Sequence, residues 1–167
     1  MAEGPSPSER VAASYKRLAA SAATLSSASD ELAKSISALD GVLKRLNLGI
    51  SAWQTIHGSE DAYGNYWSRD IGYAKVGGKW GIALRTTQGN SNNEDGDLEE
   101  WLFNDAPRWL RIDAIDKVPD LIDKLIAEAD DTSTKIKQKT GRAQELALAL
   151  NDAASEIAQQ RKAGGKA

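Results

Sequence analysis

The fold of this chain is decided by the stretch SERVAASYKRLAASAATLSSASDELAKSISALDGVLKRL, residues 8–46. Apolar or small side chains recur in it at alternating intervals of four and three residues, the heptad spacing of a coiled-coil seam. No proline interrupts it, so we expect one helix of about 60 Å, capped at its start by Ser8. Its seam positions are Val11, Tyr15, Leu18, Ala22, Leu25, Ser29, Leu32, Ile36, Leu39, Leu43 and Leu46.

A second segment, over residues 118–161, repeats the same rhythm. When Leu46 is matched with Ile122, each seam residue of the first segment meets one of the second, until Val11 reaches Ile157. This match predicts that the two chain ends form an antiparallel coiled-coil hairpin. The residues expected to carry the seam are Leu18, Leu25, Leu32, Ile36, Leu39, Leu125, Ile136, Leu146 and Leu150.

The middle of the chain has a different composition, with all five tryptophans and three of the four tyrosines. Alternation of bulky and small side chains predicts strands over residues 49–56, 66–76 and 79–88, with a loop over 57–65. Gly77-Gly78 predicts a tight turn between the last two strands. Residues 98–103 are expected to form an edge strand or an extended lead-in.

A short helix is predicted over residues 106–117, after the sheet. Pro107 suits its first turn, so Asn104 or Asp105, just before that turn, is expected to cap it. Its apolar face, expected to pack on the sheet, consists of Trp109, Leu110, Ile112 and Ile115.

Together these elements predict an α+β protein. A long antiparallel coiled-coil helical hairpin carries, at its tip, a small antiparallel β-sheet domain of three to four strands plus a short helix. The expected boundaries are a flexible N-terminus (1–7), a first stalk helix (8–47), a β-rich head (48–117), a second stalk helix (118–161) and a flexible tail (162–167). Alanine and serine are common along the first seam, so each layer buries little area and the stalk is expected to favour a second copy or another partner.

The composition argues against several classes of function. The formal net charge is -3, and residues 47–117 carry seven basic and eleven acidic side chains, unlike the strong basic excess of a dedicated nucleic-acid binder. With no cysteine there is no disulfide framework or thiolate metal site. No run approaches a membrane span and residues 1–10 lack a secretory-signal pattern. We therefore expect a cytoplasmic protein that has no membrane association and needs no cofactor.

Catalytic and metal sites have weak support in the sequence. His57, the only histidine, lies near Glu60 and Asp61, but a lone histidine in a glycine- and serine-rich loop is more often solvated than catalytic. The acidic loop 94–100 offers oxygen ligands, yet their spacing does not match a calcium loop. No phosphate-binding glycine motif or nucleophile motif occurs. We expect no enzyme and no metal; a site around His57 and the acidic loop is the least favoured alternative.

The aromatic residues of the middle region leave two interpretations open. Trp53, Trp67, Tyr73 and Trp80 interleave with basic residues, and a sheet of this kind can stack bases and hold phosphates. Large aromatics also dominate small cores, and this interpretation is favoured. Any ring that is exposed becomes a candidate hot spot for protein recognition. The partner-binding candidates are Arg69, Lys75, Lys79, Arg85, Glu94, Asp95 and Asp97.

The predicted function is therefore that of a non-catalytic interaction or scaffold protein. The coiled-coil stalk would mediate self-association, as a dimer or higher homo-oligomer, or docking. The β head would recognise a protein partner. A nucleic-acid-associated role, through the basic-aromatic face of the sheet, is the alternative.

Overall fold

A computed structural model describes residues 6–93 and 96–164 of the chain. Its helices and strands are α1 (Pro7–Leu46), β1 (Ala52–Glu60), β2 (Asn65–Val76), β3 (Lys79–Asn90), β4 (Gly96–Leu102), α2 (Arg108–Ala114) and α3 (Val118–Gly164). Short 3-10 turns precede and follow α2, at Phe103–Asp105 and Ile115–Lys117. The chain divides into two compact units, one up to Leu125 and one from Ile126. The predicted α+β class is confirmed.

The helix α1 starts slightly earlier than the sequence predicts. Ser6, not Ser8, is its N-cap: the Ser6 hydroxyl accepts from the backbone N–H of Glu9 (3.3 Å), and the Glu9 carboxylate accepts from that of Ser6 (2.7 Å). Pro7 fits the first turn because a proline has no N–H to satisfy there. At the other end Asn47 adopts a left-handed conformation (φ 47°), which closes the helix after Leu46.

The four strands form one antiparallel sheet in the order β1-β2-β3-β4. Between β2 and β3, Gly77 and Gly78 have φ values of 55° and 83°, as the predicted tight turn requires. Residues 96–102 make a true strand at the edge of the sheet, which settles the choice that the sequence left open. β1 forms the opposite edge and carries a register shift at Ile56.

The strand β1 runs further than expected, through residues placed in a loop by the sequence. Only Asp61–Gly64 turn the chain into β2, because Asp61 organises a tight connection. Its carboxylate accepts from the backbone N–H of Tyr63 (2.8 Å) and from the backbone and side-chain amides of Asn65 (2.9 Å each). These bonds, chiefly those from Asn65, lower the pKa of Asp61 below its ordinary value.

The short helix also differs from its prediction, beginning only at Arg108 and ending at Ala114. Asn104 and Asp105 lie in the preceding 3-10 turn and do not cap it. Asn104 contacts α1 instead, donating from its amide to the backbone oxygen of Ala33 (3.3 Å) and to the Ser37 hydroxyl (3.0 Å). The turn therefore links the end of the sheet to α1.

One face of the sheet packs against helical residues to form the core; we call it the helix-covered face. It presents Ile71 and Tyr73 of β2 and Ile82 and Leu84 of β3. The complete set of buried core residues is Ile36, Ala52, Ile56, Ile71, Tyr73, Ile82, Leu84, Phe103, Ala106, Leu110, Ala114, Leu121 and Leu125. Because Ile36 and Leu125 belong to it, parts of both long helices help to build the head.

The predicted seam is exposed away from this core. Leu32 is partly buried against it, but Leu18, Leu25 and Leu39 are 66%, 48% and 43% exposed. Beyond Leu125, the seam residues Ile136, Leu146 and Leu150 are each at least 60% exposed. The antiparallel coiled-coil hairpin is not confirmed and stays a prediction.

The helix α1 is joined to β3 by a partly buried polar contact. The carboxylate of Asp40 accepts from the backbone N–H of Ile82 (2.8 Å) and pairs with Lys44 (2.5 Å). Gly81 leaves room for it, since a Cβ there would lie 3.1 Å from Asp40 Oδ1. Burial, and secondly the charge of Asp40, raises the pKa of Tyr73.

We expect Gly72→Ala to destabilise the head by about 1–3 kcal/mol, a typical cost of overpacking. A Cβ at Gly72 would lie 2.4 Å from Trp53 Cε3 and 2.7 Å from the backbone oxygen of Ala52, which cannot move aside freely. Urea unfolding followed by tryptophan fluorescence measures the loss. The control is Gly41→Ala in α1, where the new Cβ meets no atom within 4 Å. Alanine there should stabilise by about 0.5–1 kcal/mol, and equal stability of the two variants would contradict the close approach of Trp53.

Candidate functional site

Three side chains form a cluster at the end of β2 beside α2; we call Trp67, Arg69 and Trp109 the indole site. Trp67, Arg69 and Ile71 follow one another at two-residue intervals along β2, so all three lie on the helix-covered face. Trp109 comes from α2, which packs on the same face. The guanidinium carbon of Arg69 lies 5.1 Å from the ring centroid of Trp67 and 4.5 Å from that of Trp109. Arg69 is thus held by cation–π contacts to both rings.

The indole site is unusually exposed for such large side chains. Trp67 and Trp109 are 42% and 47% exposed, and Ile112, one turn further along α2, is 58% exposed. The carboxylate of Asp113 lies 3.7 Å from the Arg69 guanidinium and so forms only a loose ion pair. Tryptophan and arginine are the residues most enriched at the energetic centres of protein interfaces.

Two open grooves meet at this site. The first, of about 280 Å3, is lined by Trp67, Ser68, Arg69, Thr86, Thr87, Gln88 and Trp109. The second, of about 470 Å3, lies toward β4 and is lined by Asn65, Tyr66, Trp67, Gln88, Gly89, Gly96 and Asp97. Trp67 and Gln88 line both grooves. The surface therefore offers an aromatic centre beside two adjoining grooves.

Arg85, another predicted partner-binding residue, has a structural position. It lies on the opposite face of the sheet, where its Nε donates to the carboxylate of Asp70 (2.9 Å). Its guanidinium carbon lies 4.2 Å from the centroid of the Trp53 ring. The Ser68 hydroxyl also donates to Asp70, which is only 3% exposed. A buried carboxylate needs such partners, so Arg85 stabilises the fold.

The remaining candidates lie elsewhere. Lys75 and Lys79 are exposed beside the β2–β3 turn, whereas Asp97 lies in β4 and accepts from the Gln88 amide (3.2 Å). Glu94 and Asp95 lie outside the described residues. The four predicted cations are thus distributed over three places, and of the described candidates only Arg69 and Asp97 lie at the same end of the helix-covered face.

Some of the aromatic residues belong to the core and others form an exposed surface, so each of the two interpretations describes part of the set. Tyr73 is buried and stacks on the partly buried Trp80, with ring centroids 5.6 Å apart. Trp53 lies over Gly72. Trp67 is the exposed ring, and Trp109 adds a second one that the sequence assigned to the packed face of the short helix. Leu110 and Ala114, four residues apart, are the positions of α2 that are buried.

His57 is exposed and pairs in register with Arg69. Of its acidic neighbours, Asp61 organises the β1–β2 turn and Glu60 accepts from the Ser91 hydroxyl (2.9 Å). Within residues 6–93 and 96–164, no three or more histidine, aspartate or glutamate side chains gather as metal ligands. The non-catalytic interpretation stays a prediction.

Comparison with protein-family models, with curated proteins and with solved structures finds no match to this chain. Among the helices that the structure describes, none has the length and apolarity needed to cross a bilayer.

The two arginines allow a direct test of their different roles. We expect Arg85→Ala to lower the free energy of unfolding by about 3 kcal/mol, because it leaves the buried carboxylate of Asp70 without its cation. Arg69→Ala removes exposed cation–π contacts and should cost about 1 kcal/mol. Urea unfolding followed by tryptophan fluorescence measures both losses. Equal losses would show that Arg69 is as structural as Arg85.

Proposed function

We propose that this chain is a non-catalytic interaction protein whose head recognises a protein partner through the indole site. The observation that carries this proposal is the exposure of Trp67 and Trp109 on either side of Arg69. Covering the exposed half of one indole removes on the order of 100 Å2 from water, which is worth about 2.5 kcal/mol. Two such rings beside an arginine supply the centre of an interface.

The long helices are proposed to mediate self-association. Residues 6–28 are exposed throughout, including Val11 (70%), Tyr15 (71%) and Leu18 (66%) of the heptad seam. A helix with an uncovered apolar stripe is only marginally stable in water, which favours its association with another helix. The matched seams of α1 and α3 make the chain's own helices the proposed partners, within one copy or between two.

A cytoplasmic location is part of the same proposal. The chain has no cysteine, as is common in a reducing compartment where disulfides do not contribute to stability.

Recognition by the head can be tested with point variants. We expect Trp67→Ala combined with Trp109→Ala to abolish retention of a protein that the immobilised wild-type chain captures, because the variant lacks the aromatic centre. Retention is measured by quantitative mass spectrometry. Tyr63→Ala is the matched control, since Tyr63 is an aromatic residue that is 80% exposed outside the site. Equal capture by both variants would contradict a role for the indole site.

Pairing of the helices can be tested by crosslinking, since the chain has no cysteine of its own. Leu32→Cys with Ile136→Cys should form a disulfide on oxidation, because the matched seams place these positions opposite each other. Leu32→Cys with Leu150→Cys should not. Gel electrophoresis distinguishes a crosslink within one chain from one between two, and sedimentation gives the oligomeric state. A chain that stays monomeric and uncrosslinked would contradict the proposed self-association.

A further inference from the structure

Among the residues that the structure describes, the strand β4 is paired on one side only. It lies at the edge of the sheet and pairs with β3 from Ala83↔Leu102 to Gly89↔Gly96 without a register shift. It contains no proline to interrupt the row of backbone N–H and C=O groups. A regular edge of this kind can be extended by a strand from another molecule.

The opposite edge of the sheet is less suited to such pairing. In β1 the register shifts between Thr55 and His57, so Ile56 has no partner residue on β2. A bulge twists its strand and breaks the regular row of backbone groups, a common device for protecting an edge. β4 is therefore the edge that favours an added strand.

The side chains of β4 define what that strand should carry. Asp97 and Glu99 lie on the helix-covered face, in register with Trp67 and Arg69 across β3. Leu98, 55% exposed, and Glu100 lie on the opposite face. Within the described part of the chain, Glu99 and Glu100 form no ion pair. Glu100 lies in register with Arg85, whose guanidinium pairs with Asp70. The edge thus combines carboxylates that form no ion pair with an apolar anchor.

We propose that β4 accepts an extended, basic segment of the protein partner as an added strand. The proposal rests on the head's proposed role in recognition and names the chemistry of its partner. Cations of the segment lie opposite Asp97, Glu99 and Glu100, and an apolar residue lies opposite Leu98. A second copy of β4 is disfavoured in this position, because two such edges would bring carboxylates together.

The geometry also connects this edge to the indole site. Adjacent strands lie about 4.8 Å apart, so an added strand would lie about 15 Å from β2. Its side chains on the helix-covered face would continue the rows that contain Trp67 and Arg69. The groove lined by Trp67, Gln88 and Asp97 spans the intervening surface. One partner can therefore contact both β4 and the indoles.

The test uses a synthetic peptide, TVLKKVKT, designed to lie antiparallel to β4 with its lysines opposite Asp97, Glu99 and Glu100. Amide NMR of the full chain should show shifts and slowed hydrogen exchange along β4, with saturation at roughly millimolar concentration or below. Added salt should weaken binding. The acidic peptide TVLEEVET should not bind.

Reversing the charge of β4 tests whether its carboxylates select the peptide. Glu99→Lys with Glu100→Lys should weaken binding of the basic peptide about tenfold or more and should create binding of the acidic peptide. Asp30→Lys with Glu31→Lys makes the same change of net charge at two exposed residues of α1, outside β4. This control should change the affinity for neither peptide.

The proposal would be overturned if the basic peptide saturated without an effect on β4 amides, or if both charge variants bound it with equal affinity. Absence of any binding at millimolar concentration would also overturn it. None of these results would affect capture that depends on Trp67 and Trp109. Failure of strand addition is therefore distinguishable from failure of head recognition.

Discussion

The head depends on the way one carboxylate closes the edge of β3. β4 pairs with β3 only as far as Ala83, and the next residue, Ile82, donates its backbone N–H to Asp40 of α1. An unpaired N–H in this buried strand would cost about 1–3 kcal/mol. The same bond attaches α1 to the sheet, and Ile36, one turn earlier, lies in the core. Together with the bonds from Asn104 to Ala33 and Ser37, this contact holds α1 against the end of the sheet.

The two faces of the sheet use the same residue types for different purposes. Arg85 and Trp53 cover a buried carboxylate on one face, and their contacts are satisfied within the chain. On the other face Arg69 lies between two rings that remain about half exposed. Both arginines stack on tryptophan, yet only the first has a close carboxylate. The two arginines differ in whether a carboxylate lies close to the guanidinium. Neither the composition nor the alternation of the strand predicts that difference.

Much of the fold follows from short-range signals. Gly77-Gly78 predicts its turn because both positions require positive φ, and the alternation of bulky and small residues predicts β2 and β3. The extension of β1 depends on Asp61, whose carboxylate accepts hydrogen bonds within the turn. The polar sequence of this stretch does not predict that interaction. The sequence does not predict the exposure of Trp109, because its helix is too short for periodicity to separate the buried face from the exposed one. Pairing of the two long seams involves residues far apart in sequence. Their periodicity indicates which segments match but does not show that they are in contact.

The meander order of the sheet has a consequence for the order of folding. Every strand pairs with its immediate neighbour in sequence, so the sheet can form through local contacts alone, across turns as short as Gly77-Gly78. The bonds from Asp40 to Ile82 and from Asn104 to Ala33 join residues far apart in sequence and carry a larger entropic cost of loop closure. We therefore expect the sheet to form first and α1 to dock afterwards. Although α1 is synthesised before any strand, its position is decided only once β3 exists.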